Sequence, residues 1–283
     1  MKASLVVIAL GLLVTPMAAQ GPAPAQQNAA QAPTPRLASG KPDLTGSWQG
    51  AGGGLQGSGG DMFRRCTPFQ SKQCMEWTNQ SEDWVFMSAT RLDERQPLYK
   101  PEHWDKIIEL DQWTNKYDPV MTCLPLGIPR QGPPARIFHT DNDISMIYRG
   151  GVDGAGGYAE FRMIPVDGKP HDPRRALQYT YMGYTVGRWE GDTLVLDSIG
   201  FSDETWLGRG GWFHSDQMRV IEKFTRTGNQ MLYEVTVEDP EVLVQPWVMP
   251  ARTLRLANGG TIIAERGSCT ESELKEVSSQ MRH

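Results

Sequence analysis

The chain has 283 residues, with 28 Lys and Arg against 33 Asp and Glu, a formal charge of −5. An acidic, evenly mixed balance excludes the basic face or tract that a nucleic-acid binder needs. With 39% apolar and 22% charged residues the composition is globular, and the only long apolar run lies at the extreme N-terminus, so no internal membrane span is expected.

That run, Leu5 to Val14, follows Lys2 and leads into Pro16, Met17, Ala18 and Ala19. A positive start, a short apolar stretch and small residues after it predict a secretory signal peptide over 1–19, with Ala23-Pro24-Ala25 as a second cleavage site. The expected location is therefore secreted or periplasmic. Residues 20–41 are mostly Ala, Gln, Pro and Gly, too poor in apolar surface to fold, and predict a disordered linker. A single β-rich domain is expected over 42–283, its folded part starting near Pro42.

In chain order, Asp43-Leu44-Thr45-Gly46-Ser47-Trp48 looks like the Gly-x-Trp opening of lipocalin-type barrels, in which the Trp plugs one barrel end. The Gly-rich run 50–60 reads as a loop; no Lys-Ser or Lys-Thr follows it, so it is not a phosphate-binding loop. Over about 82–117 the period changes. Trp104, Ile107, Ile108 and Asp111 follow helical spacing after Pro101, which predicts a helical insertion, with a second helix over 82–95. Strands are expected over 144–149 and 158–164, then over 179–186 and 193–197 with a turn at Trp189-Glu190-Gly191-Asp192. In Met218 to Thr225, Val220, Glu222 and Phe224 share one face. In Met231 to Glu238, Met231, Tyr233, Val235 and Val237 do so. A last hairpin is expected from 253–256 and 261–264 around Asn258-Gly259-Gly260. Strands of period two with short turns describe an antiparallel meander. With the Gly-x-Trp opening, the expected fold is mainly β, a closed or partly closed lipocalin-like barrel wide enough for one small ligand.

Four cysteines, Cys66, Cys74, Cys123 and Cys269, read as two disulfides in an exported chain; three pairings are open, of which Cys66–Cys74 with Cys123–Cys269 is preferred. A cysteine metal site is disfavoured, because no C-x2-C spacing occurs and thiolates oxidise outside the cytoplasm.

Several segments resemble a widespread family of exported bacterial β-rich proteins: Cys123-Leu124-Pro125-Leu126-Gly127-Ile128-Pro129-Arg130; Asp167-Gly168-Lys169 with His171; Gly187-Arg188-Trp189-Glu190-Gly191-Asp192-Thr193-Leu194-Val195; Gly200-Phe201 with Asp203, Thr205 and Trp206; His214-Ser215-Asp216; Glu238-Asp239-Pro240; and Pro246-Trp247. The resemblance spans roughly Cys123 to Cys269. It implies export, a β-rich fold and the long disulfide, and it implies no particular activity.

Chemistry is expected where polar types concentrate, between Arg188 and Glu222. On an extended segment His214 and Asp216 point the same way, so His214 is assigned as general base, Asp216 as its orienter, and Asp203 or Glu222 as the acid partner. Arg188 is assigned to an anionic group of the substrate, with Trp206, Tyr184, Trp212, His171 and His139 as further substrate contacts. Trp247, Tyr148 and Tyr181 belong to the same candidate aromatic pocket. Convergence of His139, His171 and His214 would open a metal site, but no H-x-H or H-E-x-x-H spacing supports one, and neither metal nor cofactor is expected. No G-x-S-x-G elbow or dinucleotide fingerprint is present. The expectation is an exported, cofactor-free enzyme doing lyase, hydratase or isomerase chemistry on a small apolar or aromatic molecule. The alternative is a lipocalin-like periplasmic carrier without catalysis.

Overall fold

The computed structural model describes residues 33–50, 97–122, 124–149, 160–208, 211–259 and 263. The expected signal peptide, the helix over 82–95 and all four cysteines lie outside these residues.

The strands in chain order are β1 (Gly46–Gln49), β2 (Arg136–His139), β3 (Asp143–Ile147), β4 (Phe161–Pro165), β5 (Tyr184–Glu190), β6 (Thr193–Ile199), β7 (Trp206–Gly208), β8 (Trp212–Phe213), β9 (Arg219–Thr227), β10 (Gln230–Glu238), β11 (Trp247–Val248) and β12 (Arg252–Leu256). The α-helices among the described residues are α1 (Trp104–Gln112), α2 (Thr114–Tyr117) and α3 (Pro173–Ala176). The main sheet runs β4-β3-β2-β1-β12-β10-β9-β6-β5. Every neighbouring pair on that path is antiparallel. The sheet curls until its two edge strands meet, giving the nearly closed barrel that the period-two pattern predicts.

An odd number of alternating strands leaves β4 and β5 running in the same direction, and they form no ladder. Two contacts bridge the seam: the Gly168 N–H donates to the Gly187 carbonyl at 3.1 Å, and Arg162 Nη1 donates to Thr185 Oγ1 at 3.4 Å. Gly187 has to be glycine there, since a Cβ would come within 2.9 Å of Val166 Cγ1 and 3.1 Å of the Pro165 carbonyl.

The inward face is apolar for most of its length. Ile137, Ile144, Met146, Ile164, Leu194, Leu196, Val220, Phe224, Met231, Val235, Val237 and Leu254 are all buried. Burial of that surface is the main drive to close the sheet. One end is sealed as the Gly-x-Trp motif implies. Trp48 is buried, its Nε1 donates to the Leu44 carbonyl at 2.9 Å, and the Arg226 guanidinium lies 5.1 Å above its ring. Arg226 in turn donates to the carbonyls of Asp43 and Gly228. A cation stacked on an indole and hydrogen-bonded to backbone oxygens closes that end. Toward the other end of β9, β7, β8 and β11 bring in Trp206, Trp212 and Trp247, with α1 alongside. Trp212 meets Trp247 edge-on at 6.1 Å, and the Tyr99 hydroxyl donates to the Phe213 carbonyl at 2.6 Å.

Three local expectations shift. The strand expected over 179–186 begins at Tyr184, because Gly183 takes φ 69° packed against Phe201. Its turn contracts to Gly191 and Asp192, so Trp189 and Glu190 are strand residues. The strand 252–256 pairs with β1 and β10, where a hairpin with 261–264 was expected; those latter residues fall mostly outside the described set. Contacts also extend upstream of Pro42. Arg36 grips Asp192 with two bonds of 3.0 and 2.6 Å, docking the start of the domain on the β5–β6 turn.

Trp48→Ala should lower the free energy of unfolding by about 3–5 kcal/mol, the usual cost of emptying a buried indole site. Denaturant unfolding measures this, and a loss below about 1 kcal/mol would mean that Trp48 does not seal the barrel.

Candidate functional site

His214, the expected base, is a buried residue with both ring nitrogens engaged. Nε2 lies 2.7 Å from Thr205 Oγ1 and Nδ1 lies 2.8 Å from the Ser215 carbonyl. The carbonyl accepts from Nδ1–H, so Nε2 of the neutral ring accepts from the Thr205 hydroxyl. Burial lowers the His214 pKa against the opposing pull of the Ser215 carbonyl, Asp239 and Asp203.

Asp216 does not orient this ring. It is exposed and accepts from Gln217 Nε2 at 3.0 Å. The carboxylate that holds the segment is Asp239, which takes the Ser215 N–H at 2.7 Å and the Ser215 hydroxyl at 2.8 Å. The same Asp239 oxygen that binds the hydroxyl also accepts from the amides of Glu241 and Val242. The His-Ser-Asp and Glu-Asp-Pro motifs thus meet as a loop clasp. Asp203 sits exposed on the loop before β7.

The other expected substrate contacts scatter. Arg188 is exposed and paired with Glu190 at 2.7 Å. Trp206 and Trp212 are buried in the β7–β8 layer. Tyr184 and His171 pack edge-on at 5.3 Å on the outer side of β5, with His171 Nε2 donating to the Asp197 carbonyl at 2.9 Å. His139 points inward near the plugged end, stacked on Trp189 at 5.6 Å, and its Nδ1 accepts the Leu44 N–H at 3.3 Å. Burial lowers its pKa despite Asp43, Asp141 and Asp143 nearby. Each of the three histidines has its own set of partners. Among the described residues, no three His, Cys, Asp or Glu side chains are grouped to hold a metal ion.

Glu222 is different. It lies inside the barrel, on the face that β9 shares between Val220 and Phe224, and its side chain is 0% exposed. Oε1 accepts from the Tyr233 hydroxyl at 2.9 Å, and Oε2 stands 2.6 Å from Arg162 Nη1 as an ion pair. That contact is not an aligned hydrogen bond, and Oε2 receives none among the described residues. Arg162 is 4% exposed; its Nε donates to the Tyr148 hydroxyl at 2.8 Å, and Nη2 reaches the same oxygen. Behind Arg162, Thr185 Oγ1 shares a 2.8 Å bond with Ser198 Oγ. Five strands and the residue after β3 therefore deliver Arg162, Glu222, Tyr233, Tyr148, Thr185 and Ser198 to one level of the barrel.

The electrostatics of this cluster are coupled. Burial works against the Arg162 charge, but Glu222 and Tyr148 outweigh it and hold the guanidinium above its ordinary pKa. Burial also pushes the Tyr148 and Tyr233 phenols well above their usual range, so both keep their protons. The site thus presents a guanidinium, a carboxylate and two phenols with little water around them. Of these residues, sequence reasoning assigned Glu222 and counted Tyr148 among the aromatics. It missed Arg162 and assigned no role to Tyr233, whose signal was a hydroxyl inside the apolar row Met231, Val235, Val237.

No protein-family model matches the chain, and no curated protein or solved structure matches it either.

Two outcomes follow from this geometry. Glu222→Leu leaves Arg162 charged and buried alone, and should cost about 3–5 kcal/mol in denaturant unfolding; a cost under 1 kcal/mol would mean that the pair is not formed. His214 and His139 both have folded pKa values below the unfolded value of about 6.5. As pH falls through that value the unfolded chain takes up protons that the folded chain refuses, so stability should drop on acidification and stay flat above it. In His214→Gln the fall in melting temperature between about pH 6.5 and 5 should be shallower. An unchanged slope would show that folding does not lower the His214 pKa.

Proposed function

We propose that this is an exported small-molecule-binding barrel, in which a largely apolar ligand lies inside the sheet with its polar group against Arg162, Glu222, Tyr148 and Tyr233. One observation carries this reading: an ion pair and two phenols converge in a largely apolar interior. Replacing such a pair by well-packed apolar residues is commonly neutral or stabilising, so stability alone is a weak reason for a barrel to keep it. A few convergent polar groups in an apolar enclosure are what a small-molecule site requires. Export rests on the N-terminal sequence pattern and on the family resemblance.

A second reading, acid–base chemistry on the bound molecule, rests on a specific feature of the same cluster. A carboxylate able to take a proton and phenols able to return one share a single buried site. In this reading Glu222 replaces His214 as the base, since both nitrogens of His214 are occupied within the loop.

Unfolding in the presence of apolar compounds that carry one polar group tests the binding reading. A ligand at a hundred times its Kd should add about 2.7 kcal/mol to the unfolding free energy. A broad set of such compounds leaving the transition unmoved would contradict it. Recovery of a bound compound from D2O separates the two readings: deuterium on carbon indicates proton transfer, and unlabelled compound indicates carriage alone.

A further inference from the structure

At the plugged end, one imidazole nitrogen stands between a backbone amide and a carboxylate. His139 Nδ1 accepts the Leu44 N–H at 3.3 Å, and the same nitrogen lies 4.0 Å from Asp43 Oδ1. A ring nitrogen that accepts from an amide carries no proton, so the ring is neutral and protonated at Nε2. Nε2 is buried and has no hydrogen-bond partner among the described residues. Leu44 is fully buried, and its carbonyl accepts from Trp48 Nε1 at 2.9 Å. The Asp43 carbonyl accepts from Arg226. Asp43 and Leu44 therefore join the His139 ring to the Trp48 plug.

A proton on Nδ1 reverses its role. The nitrogen becomes a donor facing the Leu44 N–H, a second donor, and the bond between them is lost. Asp43 Oδ1 accepts the Thr45 N–H at 2.8 Å and has room for another donor. It offers the imidazolium a charge-assisted bond in place of a neutral one. Asp43 lies on the segment before β1, Asp141 in the turn after β2 and Asp143 at the start of β3. All three favour the proton, and burial opposes it more strongly. From β5 the ring meets the uncharged indole of Trp189, with Lys41 Nζ 5.8 Å from that indole. From β9, Arg226 reaches the Asp43 carbonyl. The closed form thus binds the proton less readily than a released ring does, and acid favours release.

We propose that His139 is an acid-sensitive latch, whose protonation exchanges the Leu44 N–H for the Asp43 carboxylate and frees the Asp43–Leu44 segment at the plugged end. The latch is independent of the binding reading, since it opens whether or not the barrel holds a ligand.

Amide hydrogen exchange followed by NMR on the full chain from pH 7.5 to 4.5, with the His139 ring titrated in the same samples, tests this. Protection of the Leu44 amide and the Trp48 indole N–H should fall in step with that titration, by about fivefold or more between pH 7 and 5. Both should exchange faster than the amides of Phe224 and Val235 in the central strands. His139→Gln supplies an acceptor that does not titrate, so Leu44 protection should stay flat with pH. His214→Gln removes the other buried imidazole and should leave the Leu44 response in place. In Asp43→Asn the side-chain carbonyl still takes the Thr45 N–H but carries no charge, and the response should move to lower pH. Leu44 protection that stays flat in the parent would overturn the latch. So would an acid response retained in His139→Gln, lost in His214→Gln or unmoved in Asp43→Asn. Leu44 exchanging no faster than Phe224 and Val235 at any pH would also overturn it, because the segment would then open only with the whole fold.

Discussion

A charge inside a β-barrel has to be answered by its surroundings, and in this protein that requirement organises the interior. Arg162 enters from edge strand β4 and is met by Glu222 from β9, Tyr148 beyond β3, and Thr185 from β5. Those partners come from opposite edges of the curled sheet. The ion pair therefore does two things at once. It neutralises a buried guanidinium, and through Thr185 it ties together the two strands that no ladder joins. Breaking it from either side leaves an uncompensated charge in a dry place, which costs more than the pair itself contributes.

The two ends of the barrel show how differently this chain treats its arginines. At the plugged end Arg226 is stacked on Trp48 and donates to two backbone carbonyls, which ties it to the plug. At mid-barrel Arg162 is paired but its neighbours are not saturated. Around the β7–β8 layer, His214, Thr205, Ser215 and Asp239 close on one another as a structural clasp. The middle grouping combines a buried ion pair with open hydrogen-bonding capacity at Glu222 Oε2.

Much of the fold was legible in the sequence, because inward and outward residues alternate. Alternation placed Glu222 between Val220 and Phe224, and Tyr233 between Met231 and Val235, on the faces that turn out to be buried. A carboxylate and a phenol on apolar faces were the visible trace of the cluster. Arg162 was hidden by the same logic. In Phe161-Arg162-Met163-Ile164, hydrophobicity argues for Phe161 and Met163 inside, yet they are 68% and 70% exposed, and Arg162 faces the core. A one-residue choice of register exchanges the two faces, and the local pattern chose the other one. His214 illustrates the opposite limit. The residue types around it suit catalysis, and only the positions of Thr205 and the Ser215 carbonyl reveal that both nitrogens are spent. The pairing of β12 with β1 and β10 was beyond local reading as well, since its partners lie far away in sequence for β1 and the nearby turn suggested a hairpin.

If the interior pair serves a ligand and not the fold, the two roles separate in the double variant Arg162→Met/Glu222→Leu. Removing both charges together leaves no orphaned ion, and Met and Leu refill the space with apolar volume. Measuring unfolding and ligand affinity on this one protein puts the question directly. The expected result is a folded barrel within about 2 kcal/mol of the parent that no longer binds an apolar ligand carrying a polar group. A double variant that binds such a ligand as tightly as the parent would show that the buried cluster is a piece of architecture, and that the site lies elsewhere.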